Sequence, residues 1–289
     1  MRLVEAAGPL IGRPSVIRAR RVIDRFGAVD GGLLAAGIAY NAALALLPLA
    51  LLVAAIAGFL VTDPESQRRF VAAILTIAPP LAGVIDEIVR GLASASPSLS
   101  IIGLVLAGWG TSRLFASLES GIGQVFAGTR RRGIVSRAVR RLGAVIVLAA
   151  IVAAALIVVP ALSLAGEVVR AAGPLDGALL TAVLLAVALA IASAAVGAVF
   201  RFLAPVRVPW STVRRPAVFV AVALLLVTRA FTLLAPRLFG ENAVFGTLGT
   251  IFLGLAWLNL VFLAILLGAA WVAERVADPG APTEAPLAG

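Results

Sequence analysis

Residues 244–273 read VFGTLGTIFLGLAWLNLVFLAILLGAAWVA, thirty positions without one charged side chain. At 1.5 Å per residue a helix of this length covers about 45 Å, more than the ~30 Å hydrocarbon core of a bilayer. Five further apolar stretches of this kind lie upstream, at about 33–61, 99–126, 142–163, 175–203 and 216–236. The chain is 62% hydrophobic and 13% charged. A soluble protein has roughly a quarter of its residues charged, and too little polar sequence remains here to cover six buried helices. The expected fold is therefore all-α and integral to a membrane, with six transmembrane helices.

The connections sort by arginine. All 24 basic residues are Arg and the formal net charge is +10. Residues 1–30 hold Arg2, Arg13, Arg18, Arg20, Arg21 and Arg25; the second connection between spans holds Arg130, Arg131, Arg132, Arg137, Arg140 and Arg141; the fourth holds Arg201, Arg207, Arg214 and Arg215; the tail holds Arg275. Those seventeen face five on the other side: Arg68, Arg69, Arg90, Arg170 and Arg237. The positive-inside bias then puts both termini in the cytoplasm, and an even number of spans agrees with that. The first apolar stretch, about 30 residues, is too long for a signal-peptide core and reads as the first span.

Three segments fall outside the spans. In 1–30, Val16, Ala19, Ile23 and Phe26 recur at helical spacing opposite the arginines. This predicts an amphipathic helix in the membrane interface with its arginine heads toward phosphates, against the plainer reading of a basic flank. In 62–98, Phe70, Ile74 and Ile77 form one stripe, and Leu81, Val84, Ile85, Ile88 and Leu92 form another, separated by Pro79 and Pro80. They predict a short two-helix outer cap between the first and second spans. Residues 277–289, rich in Pro, Ala and Gly, predict a disordered cytoplasmic tail after the 31–276 membrane domain.

Chemistry has few carriers here. His, Cys and Lys are all absent. No imidazole or thiolate metal site and no nucleotide-binding lysine loop can be built, so no cofactor or metal is expected and no catalytic residue is assigned. Two arginines have no topological role because they lie inside spans: Arg113 near the middle of the second and Arg229 in the fifth. A charge at that depth costs a few kcal/mol or more and is a functional candidate. Glu119 lies six positions past Arg113, about 9 Å along the helix and about 120° around it, so the two do not share a face. Arg229 and Glu119 are short enough of the interfaces to snorkel; Arg113 calls for a polar cavity or a partner on another helix. Asn41, Asn259 and Tyr40 are the other polar groups in spans, and each asparagine needs a partner, most often another helix. If these side chains converge they suit an anionic group such as a lipid phosphate. Pro48, Gly246, Gly249 and Gly268 mark either close helix packing or local breaks that line a cavity.

Four stretches in order resemble the YihY/BrkB family of bacterial inner-membrane proteins. They are Ala39-Tyr40-Asn41 through Pro48; Trp109-Gly110-Thr111-Ser112-Arg113 through Glu119; Pro205 through Trp210 and Val213; and Phe245-Gly246-Thr247-Leu248-Gly249 with Trp257-Leu258, Leu267-Gly268-Ala269 and Glu274. The chain departs from the pattern at Asn41 and Asn259, where tyrosines are usual, and at Ala45, Gly123 and Ala270. The resemblance implies six spans with cytoplasmic termini. Members have been linked to virulence or serum resistance, and the family has carried a ribonuclease label. The residues argue against a nuclease: there is no His, no soluble domain and no carboxylate cluster for Mg²⁺.

The expected function is transporter-like, binding or moving a lipidic or anionic solute. A non-transporting structural or assembly factor of the envelope is the alternative, and an enzyme comes third. Expected partners are membrane lipids, with anionic headgroups at the cytoplasmic arginines; nucleic acid is not expected, and a homo-oligomer is compatible with the sequence.

Overall fold

In a computed structural model of the chain, the residues described are 14–60, 97–126, 174–239 and 246–277. They form six helices: α1 Pro14–Gly27, α2 Gly31–Leu60, α3 Pro97–Val125, α4 Pro174–Leu203, α5 Trp210–Phe239 and α6 Gly246–Ala277. No strand occurs among the described residues. Three helices open at a proline (Pro14, Pro97, Pro174). Its fixed φ suits a first turn, where its missing N–H has no partner to lose.

Helices α2 to α6 fall on the first, second, fourth, fifth and sixth expected spans. Leu185–Leu203, Trp210–Leu234 and Ile251–Ala277 are long and apolar enough to cross a membrane. Val16–Gly27 with Gly31–Ala45 meets the same standard only as a pair bent by 61°. The expected third span at 142–163 lies outside the described residues. So do all but the last positions of the outer cap at 62–98 and all but the first of the tail at 277–289.

The bend between α1 and α2 is built locally. The Ala28 N–H donates to Asp24 O (2.9 Å) and the Asp30 N–H to Gly27 O (3.0 Å), which closes α1. Asp30 has φ 49°, in the left-handed region that Asp tolerates better than most residues. Its carbonyl then accepts from the Leu34 N–H (3.1 Å) and starts α2. The Phe26 ring folds back over Gly31, so close that a Cβ there would sit 2.3 Å from it. A small residue is therefore required at the corner.

Helix α6 packs against every other described helix and is the axis of the bundle. Helices α2 and α3 run antiparallel: Gly110 lies on Ala45, and Gly121 lies on Ile38. The α4–α5 hairpin closes through Gly197 against Trp210 and Val213. Gly268 of α6 lets Val220 of α5 and Phe200 of α4 approach, and Phe219 meets Trp271 edge to face at 5.7 Å. Small residues of this kind let helices touch closely in lipid, where burial of apolar surface gives no drive between them.

Among the residues whose side chains are described, most of the buried ones lie toward the α1 end of the bundle. They include Ile38, Ile122, Phe126, Phe200, Val213, Val220 and Leu266. At the other end Leu185, Leu226, Leu233 and Phe252 are exposed apolar groups. The packed end also carries the arginines of α1, the end of α4 and the start of α5, so the core sits next to the charged rim.

The expected stripe of α1 divides between the core and the outside. Val22 and Phe26 pack on the core, while Val16 and Ile23 stay exposed. A 3.6-residue period marks an apolar face but does not say whether protein or lipid covers it.

Candidate functional site

Arg113 stands near the midpoint of α3, where the helix carries it far from either end. Its guanidinium lies over the ring of Trp109, 5.1 Å from the centroid and one turn earlier on the same helix. Both side chains are exposed from the bundle. Among the described residues Arg113 forms no ion pair; its aromatic partner is its own neighbour at i−4. Glu119, half-buried, lies farther along the same helix.

The polar groups of α2 are close in level to this pair. The Gly110–Ala45 and Gly121–Ile38 contacts bracket Arg113 on one helix and Tyr40 and Asn41 on the other. Tyr40 is 60% exposed. The Asn41 side-chain N–H donates to Gly37 O at 3.0 Å, so its partner is its own helix and not a neighbouring one.

Arg229 lies on α5, exposed, on a different helix pair from Arg113: α3 packs chiefly on α2, and α5 on α4 and α6. Next to it, Trp257 Nε1 donates to Thr228 Oγ1 at 3.4 Å and ties α6 to α5. Asn259 is half-buried, and its Oδ1 is buried without a hydrogen-bond partner. The candidate residues thus do not form one cluster. Arg113 on α3 and Tyr40 and Asn41 on α2 belong to one helix pair, and Arg229 and Asn259 belong to α5 and α6.

Of the small-residue candidates, Gly268 is placed at a close helix contact. Helix α6 runs unbroken from Gly246, with Gly249 buried, and Gly268 is a close-contact point. Helix α2 continues through Pro48.

A second polar centre was not singled out from sequence. Glu274, at the end of α6, is 12% exposed and accepts from Arg21 Nη1 on Oε1 (3.2 Å) and from Arg25 Nε on Oε2 (3.3 Å). Two of the α1 arginines therefore turn onto the protein, where the expectation had their heads toward phosphates. Arg20 pairs only with Asp24 of its own helix, at 3.8 Å and largely exposed. The sequence held a signal for the junction: Arg21 and Arg25 are four apart, hence on one face, and Glu274 is a lone acid closing an apolar helix. At the same end Arg201 lies 5.4 Å over the Trp210 ring, bridging the short α4–α5 connection.

No group of three or more acidic, His or Cys residues able to hold a metal occurs among the described residues.

A family model described as Virulence factor BrkB matches residues 22–287. No curated protein and no solved structure matches the chain.

Proposed function

Because the chain belongs to the BrkB virulence factor family and is membrane-embedded, we propose that it is a transporter-like protein that binds or moves a lipidic or anionic solute. It is a multi-pass protein of the bacterial inner membrane with six spans and both termini in the cytoplasm. The excess of arginines on one side supports that orientation.

The observation that carries the proposal is the Arg113–Trp109 pair. A guanidinium in the hydrocarbon costs about 2.5–3.5 kcal/mol on insertion scales and more on an isolated helix. A cation–π contact returns about 0.5–2 kcal/mol. The stacking therefore orients the charge without offsetting its full cost. A negatively charged group or water must supply the difference, and a planar, always-charged guanidinium suits a phosphate or carboxylate. Arg113 is exposed from the bundle and so accessible to such a ligand. Asn41, close in level to Arg113 on the neighbouring α2, is the group that would select among ligands.

The second reading, a non-transporting factor of the envelope, draws on the apolar core: among the described residues no polar or charged side chain is fully buried. We assign no enzymatic activity, since the sequence lacks His and Cys and its acids are scattered.

The two readings separate on reconstitution of the full chain into liposomes. Movement of a fluorescent phospholipid between leaflets, or efflux of an enclosed anion, above that of protein-free liposomes is the expected result. Rates equal to the protein-free control for every probe would favour the non-transporting role.

A further inference from the structure

Helix α3 has its polarity reversed for a helix in a membrane. Its large apolar side chains, Leu114, Phe115, Leu118, Ile122 and Val125, pack on the core. Its exposed side carries Trp109, Ser112, Arg113, Ala116, Ser120 and Gln124. At about 100° per residue these fall in one sector of the helix, which runs about 22 Å along the axis from Trp109 to Gln124. Ser112 Oγ donates to Gly108 O at 2.7 Å and Gln124 Nε2 to Ser120 Oγ at 3.3 Å, both within α3. Among the described residues no other helix bonds to this face. The described stretch of α3 is not among the helices apolar enough to cross a membrane alone. Helix α5 shows the opposite pattern and exposes Phe219, Leu226 and Leu233. A soluble helix turns its polar side outward because water covers it. In a membrane such a face lines water or meets polar groups, since hydrocarbon offers Arg113 nothing to bond.

The occupant of this face must bring an anion or water to Arg113. The expected span at 142–163 has no charged or amide side chain with which to do so. A second copy packed through the same face would bring a second Arg113 into a dry seam, cation against cation. A free anion needs an enclosed aqueous path, whereas this face opens away from the bundle. A phospholipid fits the arrangement: its phosphate suits a guanidinium, and its chains stay in the hydrocarbon outside. We propose that the outward face of α3 is a hydrated track for phospholipid headgroups, with the phosphate held midway by Arg113 and the acyl chains remaining in the bilayer. Ser112, Ser120 and Gln124 line the track with hydroxyl and amide groups. The inference rests on the transporter reading and narrows its solute to a phospholipid.

The chain has no cysteine, so a single introduced thiol reports on one position. The full chain carrying Ser112→Cys, Ala116→Cys or, on α5, Leu226→Cys is placed in liposomes and treated with a charged methanethiosulfonate. That reagent attacks the thiolate, which forms in water, so the two α3 positions are expected to label at least about tenfold faster than Leu226→Cys. In the second arm, Ala116→Leu/Ser120→Leu makes the face aliphatic and leaves Arg113 in place. It is expected to slow the movement of a fluorescent phospholipid about tenfold or more, while Leu226→Cys moves it as the parent does. Labelling of Ser112→Cys and Ala116→Cys as slow as that of Leu226→Cys would overturn the track, whether or not the double variant inserts. Quantitative disulfide formation between chains at Ala116→Cys would overturn it in favour of a second copy. Unchanged movement in the double variant, inserted and monodisperse, would overturn it as well. Efflux of an enclosed anion without phospholipid movement would overturn the lipid assignment and leave the anionic branch of the transporter reading standing. Fast labelling with neither probe moved by the parent would overturn the track and the transporter reading together.

Discussion

Glu274 and Arg25 meet at 3.3 Å although 249 positions separate them in the chain. Together with Arg21, this contact fastens the first described helix to the end of the last. It holds α1 against the end of α6.

Removing the carboxylate should release α1. Glu274→Gln keeps the size but leaves two arginines facing a neutral amide. Charge-assisted hydrogen bonds contribute about 1.5–3 kcal/mol each where buried, less where solvent screens them. Arg21 is half exposed and Arg25 is not, so a loss of about 2 kcal/mol is expected. Hydrogen exchange should locate it: amides of Pro14–Gly27 exchange faster, while those of α4 and α5 keep their rates.

The glycines of the bundle differ in what surrounds them. A Cβ on Gly268 would stand 2.3 Å from Val220 and 2.7 Å from Phe200, whereas one on Gly123 meets nothing within 4 Å. Gly268→Ala should destabilise by about 1–3 kcal/mol through overpacking. Gly123→Ala should be neutral or stabilise by up to about 1 kcal/mol through helix propensity. Thermal unfolding of the two variants in the same detergent checks the difference in sign.

Asn259 carries a buried oxygen without a hydrogen-bond donor. Leaving such a group unsatisfied costs about 1–3 kcal/mol, so Asn259→Leu, similar in volume, should raise the unfolding temperature. A fall in stability would show that a donor reaches this oxygen in the membrane.

Much of the fold is legible in the sequence because the bilayer sets lengths. A thirty-residue apolar stretch such as 244–273 leaves a helix as the only open-ended structure that satisfies its own backbone. The corner at 28–31 is less legible, since it depends on one ring, Phe26, covering one glycine. The polar sites are the least legible. Periodicity put Phe26 on the apolar face of α1 but not Val22, which also packs on the core. Asn41 needed a partner, and its own helix supplies it through the Gly37 carbonyl. Spacing alone could not choose between that and a neighbour. Glu274 was visible as a residue of a family-like ending, yet its partners lie at the far end of the chain. Arg113 was legible as an anomaly of depth. Its stacking on Trp109 follows from the i, i+4 spacing of the two.

The central claim is that Arg113 supplies the charge that recognises an anionic or lipidic solute. The most direct measurement compares the parent chain with Arg113→Gln and Arg113→Lys in liposomes, at matched protein content and with the same phospholipid and anion probes. The account expects movement of at least one probe by the parent, its loss in Arg113→Gln by about tenfold or more, and partial retention in Arg113→Lys. Equal rates in the parent and in Arg113→Gln, with both proteins inserted and monodisperse, would contradict it.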